Sequence, residues 1–121
     1  MTESRDERHL GYIRTSIQLI DDYTREGGKE AFLTEPRVQD AVLRRLETLA
    51  EAAGKLSVAV KARHPEIPWR AVVGFRNIAA HAHLEMLAER AWEIVDRYLP
   101  PLRAAVEAEM DRPGAEDSDA P

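Results

Sequence analysis

The stretch TEPRVQDAVLRRLETLAEAAGKLSVAV, residues 34–60, decides the fold class. Val38, Val42, Leu46, Leu49, Ala53, Leu56 and Val60 recur within it at steps of mostly three and four. Such steps gather the apolar residues on one side of an α-helix but scatter them over both faces of a strand. The alanine, leucine, glutamate and arginine between them lose little rotamer freedom in a helix. Thr34 is a candidate N-cap, and Pro36 falls in the first turn, where no partner exists for an amide N–H anyway. The spacing therefore predicts one long helix from Thr34 to about Val60. Gly54 inside it costs up to ~1 kcal/mol relative to alanine, and close approach of a neighbouring helix would explain it.

The same period recurs on both sides. Upstream, Leu10, Ile13, Ile17 and Ile20 form a narrow seam on a helix from about Ser4 to Arg25, closed by Gly27-Gly28. Downstream, His64-Pro65-Glu66-Ile67-Pro68 reads as a loop, because two prolines three apart do not fit a helix interior. A third helix begins near Pro68-Trp69 and carries Val72 and Val73. A fourth holds Leu87, Ala91, Ile94, Val95 and Tyr98, and Pro100-Pro101 ends it. Leu102 to Met110 forms a short fifth. The expected architecture is all-α: an antiparallel four-helix bundle over residues 1–110 with a short C-terminal fifth helix. Residues 111–121 are acidic, hold two prolines and a glycine, and lack large apolar side chains, the composition of a disordered tail.

A chain of 121 residues with 44% apolar content suits one domain with a modest core. A homodimer would bury more. The absence of cysteine rules out disulfides and thiolate metal sites. No run approaches the ~20 apolar residues of a membrane span, and the charged start has no hydrophobic signal region behind it, so a cytoplasmic location is expected. Net charge is −5, of which −3 lies in the last eleven residues. That balance excludes histone-like wrapping of nucleic acid but leaves room for a local basic site.

The chemistry concentrates in Arg76-Asn77-Ile78-Ala79-Ala80-His81-Ala82-His83. An arginine that keeps its charge precedes by five positions a histidine that titrates near neutral pH. Cleaving an RNA phosphodiester without a metal needs those two parts: an acid/base group and a fixed cation for the phosphoryl oxygens. Asn77 is a candidate to orient His81 or hold a phosphate oxygen. On a straight helix five residues turn through roughly 140°, so Arg76 and His81 do not share a face, whereas Asn77 and His81 do. Two arrangements remain open. The helix ends or distorts near Ala80 and lets His81 swing toward Arg76, or both groups reach one cleft from different sides, completed by a second subunit. His81-x-His83 is a poor metal pair on a helix, and only Glu85 stands at a useful spacing. Trp69 and Trp92 read as core anchors, and Glu47 and Glu51 with Lys55 as a solvated helix face.

These pieces, in order, resemble the HepT-like HEPN proteins, the toxin halves of HEPN/MNT toxin–antitoxin pairs. The resemblance runs from about Arg8 to Leu102. It is carried by Ala41-Val42-Leu43-Arg44-Arg45-Leu46-Glu47, Glu51-Ala52-Ala53-Gly54-Lys55-Leu56-Ser57 and His64-Pro65-Glu66-Ile67-Pro68-Trp69-Arg70. It continues through Gly74-Phe75-Arg76-Asn77-Ile78-Ala79-Ala80-His81, then Trp92-Glu93-Ile94 with Leu99-Pro100. It implies a helical bundle that dimerises and sets two Arg-x4-His motifs in an interface cleft, acting as a metal-independent ribonuclease with no cofactor. Arg76 would be the phosphate-stabilising arginine, His81 the catalytic histidine and Asn77 the polar residue that follows the arginine. A nucleotidyltransferase-fold antitoxin would neutralise it. The family pattern usually continues Arg-x4-His-x-Tyr, and the antitoxin can attach AMP to that tyrosine. Here the position is His83, so the acceptor phenol is absent. His83 becomes a supporting residue and a candidate second acid/base. The alternative reading is a catalytically silent helical subunit that binds substrate or nucleotide for a partner nucleotidyltransferase.

Overall fold

In the computed structural model, which describes residues 4–112, all regular structure is helical. The order is α1 (Arg5–Thr24), α2 (Gly28–Thr34), α3 (Pro36–Gly54), α4 (Val58–Arg63), α5 (Trp69–His81) and α6 (Leu84–Glu93). A π-helical turn (Ile94–Tyr98) then leads into α7 (Leu99–Met110). The all-α class is as expected. Of the anticipated tail, residues 113–121 lie outside the described residues.

α1 packs along α3, α3 along α5, and α7 returns against α1. Leu10, Ile13, Ile17 and Ile20 of α1 meet Val42, Leu46, Leu49 and Ala53 of α3 in the core. Phe75 of α5 and Leu102 and Val106 of α7 complete it. The first helix follows its seam closely. Its N-cap, Ser4, accepts from the Glu7 amide N–H at 2.9 Å.

Several boundaries differ from expectation, each for a local reason. Gly27-Gly28 does more than end α1: Gly28 adopts φ +54°, the left-handed region that favours glycine, and a short α2 starts there. Thr34 closes that helix, its hydroxyl donating to the Glu30 carbonyl at 2.8 Å, and so does not cap α3. The cap position belongs to Glu35, with Pro36 opening α3. The long second helix is in fact two. α3 stops at Gly54, and Ser57 accepts from the Val60 N–H at 3.2 Å to start α4. The Ser57 N–H in turn donates to Asp6 at 2.9 Å, tying α4 to the first turn of α1. α5 does approach Gly54, but an added Cβ would sit 3.4 Å from Val73 Cγ1, an ordinary contact. Helix termination accounts for Gly54 better than crowding.

Pro100-Pro101 do not stop the fourth helix. They fall in the first turn of α7, where the missing N–H groups matter least, and the π turn before them absorbs the change of register. The fifth helix accordingly begins at Leu99 rather than Leu102.

Candidate active site

α5 is anchored at its start. The Trp69 indole N–H donates to the His64 carbonyl at 3.0 Å, and Ile67, Val72 and Phe75 are buried. Trp69 is thus a structural anchor, as is Trp92, whose ring lies 5.5 Å from that of Phe32. With Val72 and Phe75 facing inward, the helical repeat sends Arg70, Arg76, Asn77 and His81 to solvent, and all four are exposed.

The helix is unbroken through Ala80 and ends at His81. The Ala82 N–H closes it on the Ile78 carbonyl at 2.8 Å. Ala82 (φ −87°, ψ 154°) and His83 (φ −65°, ψ 152°) are extended, and His83 occupies the N-cap position of α6. Of the two arrangements left open, the first holds only in part: the helix ends beside Ala80, but it stays helical through His81. Within one chain Arg76 and His81 stay roughly 140° apart around α5. Asn77 and His81 share a side, as their spacing requires. Among the described residues none of Arg76, Asn77, His81 and His83 forms a side-chain hydrogen bond or ion pair. Leu84 and Met86, just beyond, are 61% and 56% exposed.

Two grooves flank α6. The larger, about 600 Å³, runs between α2 and α6 over Leu33, Ala88 and Trp92, and its rim carries Glu85, Glu89, Glu93 and Asp96 against Lys29 and Arg97. The smaller, about 180 Å³, lies between α5 and the α6–π-turn segment. Arg70, Gly74, Ile78, Arg90, Glu93 and Tyr98 line it. Among the described residues no three His, Cys, Asp or Glu side chains gather as a metal-binding group.

The sequence reading passed over one cluster. Glu109 of α7 is buried and accepts from Arg63 Nε at 3.0 Å and Nη2 at 2.7 Å. His64 Nε2 lies 2.6 Å from the same carboxylate. The Arg63 hydrogen bonds hold the Glu109 carboxyl below its ordinary value; burial opposes them, and His64 adds to the lowering. The partners stand 45 and 46 residues apart, so no local pattern announces them. Fully engaged with one another, they clamp α4 and the following loop to α7.

A family model described as "Ribonuclease HepT-like" matches residues 13–109, the whole of this site included. The chain belongs to the HepT-like ribonuclease family. At the level of family the expected ribonuclease is borne out. Among relatives, a "Probable ribonuclease HepT" of Thermococcus cleftensis is 35% identical over 82% of this chain and 90% of its own length. A "Gamma-glutamylcyclotransferase and putative RNase" of Methanocaldococcus jannaschii is 31% identical over 81% of this chain, which spans 44% of that protein's length. No solved structure gives a significant match. Among the described residues no helix is long and apolar enough to cross a membrane.

Proposed function

We propose that this HepT-like protein is a metal-independent endoribonuclease, the toxin of a HEPN/MNT-type pair, acting in the cytoplasm as a homodimer. The observation that carries the reading is the cluster at the end of α5. Arg76, Asn77 and His81 are exposed, have no partner side chain among the described residues, and stand on a helix whose inner face is firmly packed. Polar groups carried on a well-packed helix and left without internal partners are available to a substrate.

The reaction begins as the substrate's 2′-hydroxyl attacks the adjacent phosphorus. His81 removes the hydroxyl proton, and the bond to the departing 5′-oxygen breaks as that oxygen takes a proton from a second acid, the role given to His83. The products are a cyclic phosphate and a 5′-hydroxyl end. Arg76 binds the phosphoryl oxygens through charge-assisted hydrogen bonds, which strengthen as charge builds in the transition state. Asn77, one turn before His81, holds a phosphate oxygen or orients the imidazole. His83, two residues on in extended backbone, serves as the second acid/base in this reading.

The separation of Arg76 and His81 within one chain supports a shared site. In a two-fold dimer, Arg76 of one copy meets His81 of the other, and the exposed Leu84 and Met86 supply apolar surface beside the contact. With His83 in place of the family's tyrosine, we infer that an MNT-type partner neutralises the protein by covering this cleft.

Purified protein incubated with RNA in EDTA tests the reading. Cleavage by the parent that His81→Ala abolishes is the expected outcome. No cleavage by a folded dimer across varied RNAs would sink it and favour the silent subunit beside a nucleotidyltransferase.

A further inference from the structure

Charge separates the two grooves beside α6. They share Glu93 but face opposite ways in electrostatic terms. The α2–α6 groove has four carboxylates against two cations, which repels a polyanion. The α5–α6 groove has Arg70 and Arg90 against Glu93 alone. Arg70 has no acidic partner among the described residues, and Arg90 meets only Glu93, at 3.4 Å and largely in solvent. An exposed pair of that kind is worth little and yields readily to a phosphate.

The smaller groove also leads to the site. Arg70 and His81 are eleven residues apart, which returns to within roughly 20° of the same direction around α5. Gly74 and His81, seven apart, differ by about 20° in the opposite sense. His81 therefore stands at the end of the groove's own side of the helix, about 10 Å beyond Gly74 along the axis. Gly74 keeps the passage open: nothing lies within 4 Å of where its Cβ would be. Tyr98 and Ile78, both half-buried, add aromatic and apolar surface to its lining. A volume of about 180 Å³ is below the usual range for a whole ligand of drug size and suits one unit of a longer chain.

We propose that this groove is a nucleotide subsite for single-stranded RNA, with Arg70 and Arg90 on backbone phosphates and a base against Tyr98, feeding the strand to His81. The proposal rests on the ribonuclease reading and adds where the strand lies.

The test uses a fluorescent single-stranded oligoribonucleotide blocked by 2′-O-methyl groups, which binds without being cut, titrated by anisotropy at several salt concentrations. Arg70→Gln and Arg90→Gln should each weaken binding and lower the slope of log affinity against log salt by about 0.7, the contribution of one phosphate contact. Gly74→Phe, which fills the groove from an open position, should abolish binding while leaving the helical circular dichroism intact. Lys29→Gln, in the other groove, should leave binding unchanged. Undiminished binding in both arginine variants, an equal loss with Lys29→Gln, or no binding by the parent would overturn the proposal. Parallel cleavage of unmodified RNA separates the two readings. Cleavage dependent on His81 but indifferent to Arg70, Arg90 and Gly74 removes the subsite alone. Binding through those residues without cleavage removes the ribonuclease and leaves the subsite.

Discussion

Glu109 is a carboxylate with almost no solvent, held by a guanidinium and an imidazole. Replacing it with glutamine strands Arg63 and should cost about 3 kcal/mol, the low end for a broken buried pair because the Arg63 side chain is 33% exposed. The pH dependence follows from the direction of its shift. A carboxyl whose folded value is depressed contributes stability that is fully present above the ordinary 4.5 and is lost as pH falls through the folded value. Thermal unfolding followed from neutral to acid pH should therefore show a midpoint that declines below about 4.5, with a shallower decline in Glu109→Gln. Identical acid limbs in the two proteins would refute this role. Nothing in the sequence marks Glu109, since its identity as a partner depends on a chain reversal. Arg76, Asn77 and His81 stand out as candidates for the opposite reason: a short spacing joins them. What spacing could not show is that the helix stays regular to His81, leaving the arginine and histidine on different sides.

At the scale of elements, apolar periodicity found the long helices but missed the short α2, merged α4 with α3 and misplaced most of the ends. The seam over residues 38–60 continues across a break, because Leu56 and Val60 are buried in the same core whether or not the helix is continuous. The break is written in Ser57, a capping residue inside an otherwise unremarkable run. Ser57→Ala removes the hydroxyl that accepts the Val60 N–H and should destabilise the fold by about 1 kcal/mol in urea unfolding. Gly27→Ala should be worse, about 1–3 kcal/mol, because the new methyl runs into the Ala31 Cβ in a tight connection. An unchanged midpoint would show that the α1–α2 connection relaxes freely. Pro100-Pro101 were misread because proline stops a helix from within but is accepted in its first turn, and the π turn that makes the difference has no sequence signature of its own.

For the whole molecule, a shared cleft predicts complementation. On that reading, Arg76→Ala and His81→Ala proteins should each be inactive as homodimers. Once mixed in equal amounts and allowed to exchange subunits, half the dimers are hybrids, and in each hybrid one of the two Arg76–His81 pairs across the interface has both native residues. The mixture should recover roughly a quarter of parental RNA cleavage if the cleft is shared across a two-fold axis. No recovery, with exchange verified by mass, would place both residues of a working site in one chain.

The clamp on α4 has a bearing on when this protein becomes a finished molecule. α4 is tied at one end to Asp6 and at the other to Glu109, so a six-residue helix joins the first and last turns of the bundle. Domains emerge from the ribosome N-terminal end first, at roughly 5–20 residues per second. Until Glu109 has emerged, Arg63 has no counterpart and His64 only the exposed Glu66 two residues on, so the loop that seats Trp69 at the head of α5 is not yet tied to α7. The helix bearing the proposed chemistry is thus fully fastened only once α7 has been made.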